Sequence, residues 1–230
     1  MCFSAEASFT GSIIISAIGV AVITKVHKPS QLLFACIPIL FGIQQFTEGM
    51  LWISIPNPEY IGIRKISTLV FLFMADVLWP VLIPVSILLM EENKRKKTII
   101  WYLIFAGLTV SLYYSYCLVF LNVTPQIMGY HIRYSSDFSE LIAIPAFFLY
   151  LVATIPSLYI SSIKRMHVFG TLMLLSCAVT AIFFTQFLTS VWCFFAALIS
   201  GVIYWIINDS GKEISKNSIT QLKDELAKNN

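Results

Sequence analysis

Long apolar runs recur along the chain, separated by short polar interruptions. They predict helices over about 7–24, 31–54, 66–90, 98–121, 140–160, 168–187 and 191–208. Each run is near the roughly 20 residues that cross about 30 Å of hydrocarbon. The interruptions carry breakers and charge: Lys25-Val-His-Lys-Pro-Ser30, Ile55-Pro-Asn-Pro58, Glu91-Glu-Asn-Lys-Arg-Lys-Lys97 and Ser161-Ser-Ile-Lys-Arg-Met-His167. Proline cannot continue the helical hydrogen-bond ladder. Pro56 and Pro58 therefore end the second run, Pro80 and Pro84 kink the third, and Pro145 and Pro156 interrupt the fifth. The longest connection, 122–139, reads as a loop, and a tight turn at 188–190 joins the last two runs. The pattern predicts an all-α integral membrane protein: a seven-transmembrane-helix bundle over 1–208 and a polar tail over 209–230. Ile214, Ile219, Leu222 and Leu226 leave two readings of the tail open, a surface amphipathic helix or a solvated stretch.

Composition agrees with the pattern. The 230 residues are 58% hydrophobic and 12% charged, with a mean hydropathy of +0.82. A soluble domain averages about 45–50% apolar and about 25% charged residues. The five cysteines form no CxxC pair or zinc-ribbon spacing, so a disulfide framework is not expected. No basic segment precedes the first apolar run, which is long enough to span, so no cleavable signal peptide is expected. Charge placement predicts the orientation. Twelve Lys and Arg lie in the tail and in the loops after the first, third and fifth runs; three (Arg64, Lys65 and Arg133) lie on the other side. By the positive-inside bias the N-terminus is outside, the C-terminus is cytoplasmic, and the cell inner membrane is the expected location.

The candidate chemistry centres on Phe41-Gly-Ile-Gln-Gln-Phe-Thr-Glu-Gly-Met-Leu-Trp52. Gln44 and Glu48 are i, i+4 and Gln45 and Glu48 are i, i+3, so the three share a helix face. Asp76 lies about ten residues into the third run, roughly 15 Å deep at 1.5 Å per residue. Cys2, Ser4 and Glu6 approach from the same side, as do Tyr113, Tyr114, Tyr116 and Cys117, Gln186, Trp192 and Cys193, and the loop residues His131, Arg133 and Asp137. The inner halves hold few ionisable groups, so a polar pocket opening outward is expected. No Lys or Arg lies within the predicted spans to neutralise Glu48 or Asp76. Each must be protonated, hydrated, hydrogen-bonded or bound to a cation. Glu48, Asp76 and Glu6 form an oxygen-rich set suited to a hard divalent metal ion, and Cys2 would favour a softer one. Structural alternatives stand beside these. Ser4 is an ordinary N-cap and Glu6 a first-turn acid favoured by the helix dipole. Gln44 and Gln45 suit interhelical hydrogen bonds, and Trp52 and Trp192 suit an interfacial belt.

Two stretches also carry a resemblance. Met1-Cys-Phe-Ser-Ala-Glu-Ala-Ser8 and Ile37-Pro-Ile-Leu-Phe-Gly-Ile-Gln-Gln-Phe-Thr-Glu-Gly-Met-Leu-Trp52 resemble a family of small bacterial multi-pass membrane proteins of unknown function. The likeness covers residues 1–54 most closely. It implies no activity. It does imply that the N-terminal stretch and the second-run face belong to one site, through Cys2, Ser4, Glu6, Gln44, Gln45 and Glu48.

Several seven-helix functions are excluded by residue type. The last run has no lysine for a retinal Schiff base, and His27, His131 and His167 all fall outside the run cores. Intramembrane zinc hydrolases and bis-histidine haem both fail on that second ground. No HExxH motif, nucleotide-binding loop or nucleic-acid surface is present. Three readings remain. The leading one is a sensor or receptor-like protein whose outward pocket takes a small ligand or cation. The second is an intramembrane enzyme acting on a lipid or other amphiphile, with Glu48 or Asp76 as base or metal ligand and Cys2 or Ser4 as nucleophile. The third is a proton- or ion-coupled carrier, against which the apolar inner halves count.

Overall fold

A computed structural model describes residues 4–209. Seven of its helices are long and apolar enough to cross a membrane: Ala5–Ile23, Pro29–Ser54, Pro58–Met90, Lys94–Phe120, Leu141–Ile160, Lys164–Phe183 and Thr185–Asp209. They are called the first to seventh spans below. Two boundaries differ most from the sequence reading. The third span starts at Pro58 rather than near 66, because Arg64 and Lys65 suit a helix even though they do not suit hydrocarbon. The break between the last two spans falls at Phe184 (φ −133°, ψ 36°), and 188–190 are helical. No Gly or Pro marks that break, so hydropathy alone could not locate it.

The connection read as a loop is a β-hairpin. Strands β1 (Val123–Met128) and β2 (His131–Ser136) pair antiparallel, with Met128 opposite His131. This leaves Gly129-Tyr130 as a two-residue turn. Gly129 has φ +62° and no described non-glycine residue has positive φ. A left-handed first turn residue is the requirement that places glycine in such hairpins. Pro125 stands in a strand with only one neighbour, where its missing N–H leaves no second ladder to break.

The first and second spans pack through small residues. Ser8, Ser12, Ile15, Gly19 and Val22 form the buried stripe of the first span. The Ser12 hydroxyl donates to the Gly42 carbonyl at 2.7 Å, and a Cβ on Gly42 would lie 2.1 Å from Ser16 Oγ. Small residues let two backbones approach this closely. The outer face of the same helix exposes Ile13 (71%) and Ile14 (54%), as the fourth span exposes Trp101, Phe105 and Leu112.

The two ends of the bundle differ in chemistry. At one, the buried Glu91 carboxylate accepts hydrogen bonds from the Ser162 N–H (2.7 Å) and hydroxyl (2.8 Å), and from the N–H groups of Asn93 (2.9 Å) and Glu92 (3.1 Å). It thereby fastens the turn after the third span to the turn after the fifth. Lys28 pairs with Glu92 at 3.2 Å, and Arg165 pairs with Asp209 and lies 4.1 Å from the Trp205 ring centre. This basic end is opposite the hairpin end.

Candidate functional site

The site begins with a proline. Pro80 has no N–H, and in a regular α-helix its ring would strike the carbonyl of Asp76, four residues earlier. The third span instead widens into a π-helical turn over Phe73–Leu78. Such a turn frees backbone carbonyls, and neighbouring spans supply donors. The Tyr150 hydroxyl donates to the Ala75 carbonyl at 3.1 Å, and the Ser111 hydroxyl to the Val77 carbonyl at 2.6 Å. The Pro80 carbonyl itself lies against Gly107, where a Cβ would be only 2.0 Å away. Proline is tolerated in such helices because neighbours re-satisfy the freed groups. The widened turn holds Asp76 half-buried, within electrostatic reach of Tyr114, Tyr150 and Cys193.

Opposite this turn, the second and seventh spans make two polar rungs. Glu48 accepts from the Ser190 hydroxyl, and the Gln44 amide N–H donates to the Cys193 sulfur at 3.2 Å. Glu48 and Gln44 are four residues apart and Ser190 and Cys193 three apart, so each pair lies on one face of its own helix. The third span completes the second rung: the Trp79 indole N–H donates to Gln44 Oε1 at 3.0 Å. Trp79 also stacks on Phe41, with ring centres 4.1 Å apart and planes 20° from parallel. Cys193 lies within electrostatic reach of both Glu48 and Asp76.

The hairpin covers this layer. Ile132 of β2 is fully buried in a cluster with Leu51, Phe71, Leu72, Ala75 and Cys193. Tyr134 stacks on Phe71 at 5.2 Å, and His131 sits against Phe184 and Phe187, with ring centres 5.2 and 4.8 Å away. Burial holds the His131 imidazole below its ordinary pKa, which favours the neutral ring. The sequence reading expected an outward-opening pocket; in the structure Gln44, Gln45 and Glu48 all have 0% exposure. The cavity beside Cys193, which Phe41, Trp79, Tyr150, Thr154 and Trp192 also line, has a volume of about 30 Å³. That admits a water-sized guest.

Two of the remaining candidates, Ser4 and Glu6, have roles at the start of the first span. Ser4 caps the first span, its hydroxyl oxygen accepting from the Ala7 N–H at 3.2 Å. Glu6 is exposed in the first turn. Cys2 lies outside the described residues. Among the described residues no three His, Cys, Asp or Glu side chains gather to hold a metal ion. The set of Glu48, Asp76 and Glu6 is therefore not a three-carboxylate cluster. Sequence reasoning named Trp192 and Cys193 but did not pair Cys193 with Gln44, and it left Ser190 in a turn. The Ser190-Val-Trp-Cys193 spacing would have shown the pairing face, had the break been placed at Phe184.

Neither a curated protein nor a solved structure matches the chain. A family model does, over residues 1–217, and thus across all seven spans, the hairpin and the polar layer. The chain belongs to DUF6629, a family of unknown function.

Proposed function

We propose that this is a multi-pass protein of the cytoplasmic membrane, with its N-terminus outside and its C-terminus inside, and that its buried polar layer binds a small cation. It acts as a sensor or receptor-like protein, with the hairpin as the cover over the site. The membrane reading is supported by seven apolar helices with exposed aliphatic and aromatic faces, and the orientation by the alternation of basic loops. The observation that carries the binding reading is the wholly buried Glu48 carboxyl, which accepts from Ser190, with Cys193 within electrostatic reach of both Glu48 and Asp76. Two anionic groups at membrane depth are costly unless protonated or neutralised. A cation neutralises them and leaves Ser190 and Gln44 as oxygen donors. Such a donor set suits a hard alkali or alkaline-earth ion.

The test is thermal unfolding of the detergent-solubilised protein in choline buffer, with Na⁺, K⁺, Mg²⁺ or Ca²⁺ added singly. A ligand at 100 times its Kd stabilises by about 2.7 kcal/mol, which in a chain of this size raises Tm by roughly 5–10 °C. One of the four ions should do so. In Glu48→Gln, whose Oε1 still accepts from Ser190, the shift should vanish. No shift with any of the four ions between pH 6 and 8 would refute the proposal.

A further inference from the structure

We infer that the groove between the third span, the fourth span and strand β1 is a site for an anionic phospholipid of the leaflet at the hairpin end. The groove has a volume of about 410 Å³. Its lining joins polar and basic residues (Arg64, Lys65 and Asn122) with apolar ones (Leu69, Leu72 and Leu121). Leu69, one to two turns along the same helix from Arg64 and Lys65, is 50% exposed, so the apolar part of the lining continues onto the exposed surface of that helix. This mixed chemistry matches a phosphate headgroup followed by acyl chains. Basic pockets beside membrane helices recognise anionic lipid headgroups in this manner.

The charge balance separates this groove from the larger basin at the basic end. That basin, of about 790 Å³, is lined by Lys28 and Glu92, and Arg165 and Asp209, which form two ion pairs, and by Lys164 and the hydrogen-bonded Glu91. Its charges cancel. In the groove, neither Arg64 nor Lys65 forms an ion pair with a described residue. The two cations stand side by side at the end of the bundle where basic residues are otherwise scarce. A phosphodiester can accept from Arg64 at two oxygens while Lys65 and the Asn122 amide reach the others. The inference rests on the membrane reading and is independent of the cation layer.

The experiment titrates the full-length protein in maltoside micelles with dioleoylphosphatidylglycerol and counts bound lipid by native mass spectrometry. Wild type should retain one lipid at a concentration at least tenfold lower than Arg64→Gln/Lys65→Gln does. Arg133→Gln, which removes one charge from the hairpin outside the groove, should titrate like wild type. Lys65 is exposed, so Lys65→Gln alone keeps the test open if the double variant does not fold, with a threefold or greater loss expected. Equal retention by wild type and the charge-removal variants would overturn the inference. So would glycerol 3-phosphate displacing the lipid at equal concentration, because the occupant would then be a soluble phosphate ester. A protein that fractionates with membranes yet shows no lipid difference refutes the groove alone; one that does not fractionate with membranes refutes the membrane reading.

Discussion

Trp79 serves the bundle through a face and its edge. Its ring stacks on Phe41 and its N–H satisfies Gln44, whose own N–H groups are thereby oriented toward Cys193. A glutamine held by two spans cannot flip without breaking both bonds. Trp79→Phe keeps an aromatic ring against Phe41 and removes the donor. Leaving a buried acceptor without that donor should cost about 1–3 kcal/mol in chemical unfolding of the solubilised protein. Combining it with Gln44→Leu should show a coupling of about 0.5–1.5 kcal/mol in a double-mutant cycle. Additive losses would mean that the bond contributes nothing to stability. Glu48 is the other residue on which the site turns, and the cation titration above addresses it directly.

The third span is the element that shapes the site. A straight α-helix through Pro80 would place its ring on the Asp76 carbonyl, and the π-helical turn relieves that contact. The turn is stable because the fourth and fifth spans supply hydroxyls to its carbonyls. Those donors reach only if the helices lie close, which the absence of a side chain at Gly107 permits. Gly107→Ala should therefore do more than its helix propensity predicts. Alanine favours a helix over glycine by about 1 kcal/mol, yet here its Cβ meets backbone, and overpacking of this kind costs about 1–3 kcal/mol. A lowered unfolding midpoint is expected; a raised one would show that the two spans have room to part. The hairpin is the second element that matters to the site. Its apolar edge, Ile132 with Ile127 and Val123, is what separates the polar layer from the hairpin end.

At the scale of the molecule, the two ends hold the bundle by different means. The hairpin end is closed by apolar packing, the basic end by Glu91. Burial opposes the Glu91 charge, but hydrogen bonds from Asn93 and Ser162 and the nearby positive charge of Lys96 outweigh it. The carboxyl is held below its ordinary value of 4.5. A depressed folded-state pKa contributes stability that is fully present above the unfolded value and is lost as pH falls through the folded one. Tm should therefore fall as the pH drops below about 4.5. In Glu91→Gln that part of the acid slope should be missing, and the variant should be less stable than wild type at pH 7. Parallel pH profiles for the two proteins would show that the clasp does not contribute.

How much of this was legible beforehand differs between the spans and the site. Span number was legible because the thickness of hydrocarbon translates directly into the length of an apolar run. The shared face of Gln44, Gln45 and Glu48 was legible because helical periodicity is local. The hairpin was not read: it lies between apolar runs, its alternation is only six residues per strand, and Pro125 obscures it. Gly129 was the one local signal of its turn. The partners of the polar face were beyond local reading. Ser190 is 142 residues from Glu48 and Cys193 is 149 from Gln44. Which helix faces which is a matter of packing, set here by close approaches at Gly42 and Gly107 and by the widened turn before Pro80. Periodicity along one chain segment specifies a face but carries no information about what it meets. For this protein the apolar pattern was sufficient for seven spans and one polar face. The pairing of that face with the seventh span, the cover over it and the groove between the third span, the fourth span and strand β1 arise only when distant segments pack, because their contacts depend on distances between helices that no local period encodes.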